Sequence, residues 1–438
     1  MKEKLRQFFD GKSVLILGYG REGQSTLELI KDFNCEIAIS DKNLKITDEI
    51  KQYRLYGGES YLDCINDYDI IMKTPGIALF DSVSSETKKK ITSQTDLFLR
   101  FCNNKIIGVT GTKGKSTTSS LIYHILKECG MKAHLVGNIG IPPLAKIDEF
   151  EGNAIIVCVM SCHQLEYVSA SPDIAVLLNI YEEHLDHYVD FYAYKTAKEN
   201  IYRYLEKDGL LVYNLRCYNA EIEKLKAKTI PCSMYGSGEV FIDGDNMNIS
   251  GLEIPLEKIR TKLAGEHNIY NIGVALCVCI NAGCNPDDAI RSIESFNGLE
   301  HRLEHFATID EVKFVNDSIS TIPMAAISAV KAFPNTDTLI IGGMDRGISY
   351  DILISYLNEG AVKNIICLKD SGYKIASELY GDKLNIYKAR DMEDAVRKAL
   401  EITKNCCILS PAAASYGFYK NFEERGTHFK ELVKKLSR

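Results

Sequence analysis

The run Lys105-Ile-Ile-Gly-Val109 passes without a break into Thr110-Gly-Thr-Lys-Gly-Lys-Ser-Thr-Thr118, and this feature restricts the fold more than any other in the chain. A buried strand leading into a glycine-rich loop and then a helix is the anion-binding unit of parallel α/β sheets. Glycines let the backbone curl until successive N–H groups face one anion, and the helix start adds its positive end. Gly111, Thr112, Lys113, Gly114, Lys115, Ser116 and Thr117 are therefore the candidate phosphate cradle. Lys115 would reach the terminal phosphates and Ser116 would hold the magnesium that bridges them. The loop is shorter than the general pattern, since only Thr112 and Lys113 separate Gly111 from Gly114. A plain glycine turn is the bland alternative. The complete set of polar roles directly after a buried strand weighs against it.

Apolar strand-like runs alternate with amphipathic helical stretches along the whole chain, which predicts α/β architecture with largely parallel sheets. Ser13-Val-Leu-Ile-Leu-Gly18 runs into a second glycine motif, Gly18, Gly20 and Gly23, with a helix expected over 24–33 and a strand ending at Asp41. Taken alone, this motif reads as a dinucleotide site with Asp41 on a ribose hydroxyl. Glu22 would repel a pyrophosphate, so the motif indicates a nucleotide-like group without choosing which. Further strands are expected at 69–72, 154–159, 174–179, 312–315, 338–341, 364–368 and 406–409. The boundaries fall near residues 97 and 300, giving segments 1–96, 97–300 and 301–438.

A chain of 438 residues is too long for one core. Its net charge of −7 argues against a nucleic-acid partner, which would select a basic face. It has no long apolar run for a membrane span, and no leader pattern at the N-terminus, so a cytoplasmic protein is expected. The 14 cysteines form no CxxC pair, and they read as small buried hydrophobes in a reducing compartment.

Polar residues gather where the central strands end. Ser161-Cys-His-Gln164-Leu-Glu166 follows one strand, and Asn179-Ile-Tyr-Glu-Glu-His184-Leu-Asp-His187-Tyr188 follows the next. Open α/β sheets bind ligands at such ends, and the Glu/His/Asp cluster suits metal or phosphate chemistry. Spacing does not choose among Glu182, Glu183, His184, Asp186 and His187.

These residues, in this order, resemble the Mur ligases. The likeness rests on Gly111 to Thr118, Gly137-Asn-Ile-Gly140, Ser161 to Glu166, Asn179 to Tyr188 and Ala197-Lys198. It continues through His267-Asn268 with Asn271, Gly298-Leu-Glu-His-Arg302, Asn316 to Pro323, Gly342 to Gly347, Leu409 to Ser415 and Lys420 to Gly426. The last two, with the compact first segment, point to the D-glutamate-adding branch. The resemblance implies a Rossmann-like first domain, a central P-loop ATPase-like domain with a mostly parallel sheet, and a Rossmann-like last domain. It implies a monomeric, ATP- and Mg²⁺-dependent ligase that joins UDP-N-acetylmuramoyl-L-alanine to D-glutamate through an acyl phosphate, the last domain closing to exclude water.

By the same resemblance, Gly18, Gly20, Arg21, Glu22, Asp41, Asn138, Ser161 and Gln164 hold the UDP-substrate. Asn268, Asn271, Arg302 and Asp317 join the cradle at ATP, and Thr321, Ser415, Tyr416 and Phe422 form the D-glutamate pocket. His184 and Lys198 serve a second magnesium, Lys198 as a carbamate; with Lys115 they form the catalytic set.

Three departures stand out. Val159 occupies the place where the family carries a magnesium-binding Glu, and a valine offers no oxygen to a hard cation. Cys162 replaces a Ser, and Ile319 stands where some relatives carry Lys. Val159 keeps open a weakened enzyme or a non-catalytic nucleotide-sugar binder, beside another Mur-type amide ligase. A nicotinamide dehydrogenase, suggested by the first glycine motif alone, leaves Lys115 and Ser116 unexplained.

Overall fold

The computed structural model describes residues 1–79, 83–137, 142–150, 152–184, 187–263, 265–380 and 384–437. Asn138 and Asp186 lie outside them. The chain forms two compact units, Met1–Arg260 with Glu266–Ser295, and Thr261–Gly265 with Phe296–Arg438.

The first unit carries two sheets. One consists of β1 (Lys12–Leu17), β2 (Cys35–Asp41), β3 (Arg54–Gly57), β4 (Ile70–Lys73) and β5 (Ile91–Thr92), all parallel, in the order β3-β2-β1-β4-β5. The order reverses at β1 and β4, which opens a crevice above their C-terminal ends. The other sheet has nine strands: β6 (Lys105–Thr110), β7 (Ala133–Gly137), β8 (Ile155–Val159), β9 (Ile174–Leu177), β10 (Leu210–Asn214), β11 (Lys228–Tyr235), β12 (Val240–Asp243), β13 (Asn246–Ile249) and β14 (Leu252–Pro255). Their order is β14-β13-β12-β11-β10-β9-β6-β8-β7, parallel except for the β12-β13-β14 meander. The phosphate loop leaves β6, between β8 and β9, where the winding again changes direction.

The second unit holds β15 (Glu304–Ile309), β16 (Val312–Asn316), β17 (Thr338–Gly343), β18 (Asn364–Asp370), β19 (Asn385–Lys388) and β20 (Cys406–Leu409), ordered β15-β16-β20-β17-β18-β19. Only the β15–β16 pair is antiparallel. Alternate residues feed opposite cores, as the two-residue strand period requires. Val315, Ile341, Ile365 and Ile408 face one side; Phe314, Ile340, Ile366 and Leu409 face the other.

The expected α/β architecture is therefore present, with three mostly parallel sheets. One helix differs from expectation: it spans Arg21–Ile30, not 24–33. Gly20 caps it in an extended conformation with no side-chain hydrogen bond, so no capping residue marks its start in the sequence. All 14 cysteines are free thiols, most of them buried. No helix among the described residues is long and apolar enough to cross a membrane.

Candidate functional site

The phosphate loop is fixed from both sides. Gly111 lies at φ 155°, and a Cβ there would come 2.9 Å from the Leu178 side chain. Gly114, left-handed at φ 86°, begins the helix Lys115–Glu128. The end of β9 clamps the loop: Thr112 N–H donates to the Asn179 carbonyl (2.9 Å), and Lys113 N–H to the Asn179 side-chain oxygen (2.8 Å). Asn179 Nδ2 returns a bond to the Lys113 carbonyl (3.0 Å). The Thr112 hydroxyl meets the buried Tyr194 hydroxyl at 2.8 Å. Asn179 stood at the head of the expected strand-end cluster without a role of its own; Tyr194 was not among the expected site residues, and no sequence signal marked it.

Two ammonium groups converge on one carbonyl. Lys115 Nζ donates to the carbonyls of Gly111 (2.7 Å) and Thr112 (3.1 Å), and Lys198 Nζ donates to Gly111 O at 2.9 Å. Lys198 is 1% exposed. Burial, then the Lys115 charge, bring its ammonium down to about 8. Lys113 is solvent-facing and pairs with Glu183 at 2.7 Å. Such a concentration of positive charge suits polyanions. Gly114 also abuts Asn271, whose amide donates to Asn268 Oδ1 at 3.1 Å, both on the helix Glu266–Ala282.

For magnesium, the donors near the loop are the half-buried Ser116 hydroxyl, the Glu183 carboxylate and His184, whose Nε2 lies 3.9 Å from Glu183. At the end of β8, Val159 is fully buried. An ion that keeps its waters and phosphate oxygens needs only one or two protein oxygens, and this donor set meets that need. Among the described residues, the one ready-made trio of His and carboxylate ligands is Glu300, His301 and Glu304, in the second unit. There Lys430 already bridges Glu300 (2.6 Å) and Glu304 (2.8 Å).

Ser161 and Gln164 form a reciprocal cap on the short helix Cys162–Leu165. His163 packs beside His187 and His184, with ring centroids at 4.2 and 4.9 Å. Burial, then those two neighbours, lower His163 to about 4, so it is neutral. In the first glycine turn, both Asp41 oxygens accept backbone N–H groups, from Tyr19 (2.7 Å) and Asn43 (2.8 Å). Gly23 packs on the turn so closely that a Cβ would lie 2.0 Å from Gly18 O. Arg21 and Gly20 are exposed, whereas burial raises the Glu22 carboxyl to about 7 against the pull of Lys73.

In the second unit, Asp317 accepts from Leu303 N–H (3.1 Å) and the Ser410 hydroxyl (2.7 Å). Burial raises its carboxyl to about 6, opposed by these bonds and by Arg302. The buried Arg425 guanidinium donates to Ser318 Oγ (3.0 Å), Ser318 O (2.8 Å) and Ala413 O (3.1 Å). It thereby ties the turn leading to Thr321 to the loop carrying Ser415. Phe422 O accepts the Ser318 hydroxyl at 2.8 Å. Ser415 is buried and Tyr416 is exposed.

The sequence profile described as Mur ligase middle domain matches residues 109–279. A UDP-N-acetylmuramoylalanine–D-glutamate ligase of Clostridium kluyveri is 32% identical, over 98% of this chain and 98% of its own. That of Acetivibrio thermocellus is 33% identical over 100% of both. Among solved structures, MurF ligase from Thermotoga maritima in complex with ADP aligns over 99% of this chain and 96% of its own, with TM-score 0.57 at 18% identity. UDP-N-acetylmuramate-alanine ligase MurC from Thermotoga maritima aligns over 97% and 100%, with TM-score 0.59 at 18% identity. At that identity the structures speak for the fold alone. The full-length relatives above 30% identity carry the stronger statement: the chain belongs to the Mur ligase family.

Proposed function

We propose that the chain adds D-glutamate to UDP-N-acetylmuramoyl-L-alanine, with ATP converted to ADP and phosphate, in peptidoglycan precursor synthesis in the cytoplasm. The reading assigns the UDP end of the substrate to residues 1–96, ATP to 97–300 and the amino acid to 301–438. Its main support is the pair of lysines, Lys115 and Lys198, meeting at the Gly111 carbonyl within a strand–loop–helix cradle. Full-length relatives named for this reaction supply the substrates.

The chemistry has to bring a carboxylate and a triphosphate together, two anions that repel. Lys115 and the loop N–H groups offset that repulsion, and holding the reactants in line provides most of the rate. A carboxylate oxygen attacks the γ-phosphorus and ADP leaves. The D-glutamate amine then attacks the acyl carbon of the acyl phosphate, phosphate departs with the C–O bonding pair, and the amine loses a proton. Magnesium, when bound, neutralises the phosphate oxygens; Ser116, His184 and Lys198 as a carbamate would hold it. Thr321, Ser415, Tyr416 and Phe422 would orient the amino acid.

Incubation with UDP-N-acetylmuramoyl-L-alanine, ATP, Mg²⁺ and D-glutamate should release phosphate only when D-glutamate is present, and Lys115→Ala should abolish that release without unfolding the protein. Phosphate release independent of the amino acid, or none at all, would overturn the reading. A second reading, a weakened ligase that binds the nucleotide sugar, is favoured by the buried Val159. Tight substrate binding without turnover would identify it.

A further inference from the structure

A string of buried and half-buried ionisable groups crosses the first unit, outside the residues assigned above to catalysis. Lys73 ends β4 and is 4% exposed, and its Nζ lies 3.1 Å from Glu166 Oε2. The same oxygen is 3.5 Å from His187 Nε2. On the other side the Lys73 charge acts on the Glu22 carboxyl, in the first turn of the helix after the first glycine motif. The Tyr167 ring lies 5.3 Å from Lys73 Nζ.

A buried ion pair is a poor stabiliser, because desolvating both charges offsets much of their attraction. What such a pair does well is fix one arrangement over others. This one joins two places that matter. Next to Lys73, Thr74 donates its N–H to Leu17 O at 2.9 Å, and its hydroxyl packs under Gly18, where a Cβ would come within 2.0 Å of it. Thr74 thus supports the first glycine turn. Glu166 caps the C-terminal end of the helix bearing Ser161 and Gln164, and touches His187 beside His163 and His184.

We infer that Lys73 and Glu166 are positioning residues that fix the distance from the first glycine turn to the histidine cluster, and so select a nucleoside-diphosphate sugar whose acyl arm has the matching length. The inference rests on the substrate reading above and adds residues to it. Neither side chain has to touch the reacting atoms. Lys73 and Glu166 act by holding the two ends of one ligand's site in register.

The test is calorimetric binding of UDP alone and of UDP-N-acetylmuramoyl-L-alanine to the full-length protein. Wild type should prefer the longer ligand by about tenfold or more. In Lys73→Met/Glu166→Leu, apolar side chains of similar size replace the pair, so the protein should melt near wild type. That variant should bind UDP as wild type does but lose most of the preference, and Lys73→Arg should keep it. Should the double variant unfold, Glu166→Gln is expected to lower the preference about threefold with UDP affinity unchanged. An undiminished preference in the double variant, or in Glu166→Gln, overturns the inference. So does a wild type that binds UDP and the longer ligand equally. The reaction itself is judged separately, by D-glutamate-dependent phosphate release from wild type.

Discussion

Val159 sits at the end of β8 with its side chain fully buried, one strand from the phosphate loop. If this position faces the nucleotide's metal, Val159→Glu should raise magnesium-dependent phosphate release severalfold, measured at limiting Mg²⁺, although burying a carboxylate will lower the melting temperature. No gain at any Mg²⁺ concentration would show that this strand end does not serve the metal. Glu22 allows a pH prediction. Its carboxyl is raised to about 7 by burial, so the folded state holds its proton more tightly than the unfolded state does. Stability from this group is therefore lost as pH rises from the unfolded value through about 7. Glu22→Gln should stabilise the ligand-free protein by on the order of 2 kcal/mol at pH 8.5 and by little at pH 5, read from denaturant melts. Equal effects at both pH values would argue against a desolvated carboxylate at this position.

The two glycines of the first motif should behave differently on substitution. At Gly23 a Cβ would strike the Gly18 carbonyl, a backbone atom that cannot step aside, whereas nothing lies within 4 Å of a Cβ at Gly20. Gly23→Ala should cost about 2 kcal/mol or more, and Gly20→Ala well under 1 kcal/mol, in denaturant melts. Comparable costs would mean that the turn is not packed as described. The same comparison shows what could be read from the sequence. Strands such as β1, β6, β8, β9, β17, β18 and β20 announced themselves as unbroken apolar runs, whereas β10, whose first four residues are just as buried, was not anticipated. Nor was the edge meander over 240–255, because its strands are only four residues long and mix buried with partly or fully exposed positions. The phosphate loop was legible because its parts are contiguous. The Lys73–Glu166 pair was not, since its members stand 93 residues apart and each alone reads as a surface charge.

Across the whole chain, the cradle and both Asn268 and Asn271 belong to the first compact unit, whereas the cores around β16–β20 belong to the second. A fragment of residues 1–295 should therefore be stabilised by ATP with Mg²⁺, by about 2.7 kcal/mol at a hundredfold excess over its dissociation constant. Scanning fluorimetry will read this as a raised melting temperature; an unmoved melt in a folded fragment would place nucleotide affinity elsewhere. A fragment of residues 296–438 should unfold cooperatively by itself, since it encloses two apolar layers around its own sheet. The fourteen unpaired thiols bear on handling at this scale. With no cross-links to form, the polypeptide can regain its native state in the presence of strong reductant, without an oxidase or isomerase. Only Cys35, Cys102 and Cys129 are partly open to solvent, so an alkylating dye that counts accessible sulfur becomes a direct gauge of how much of the population has come apart.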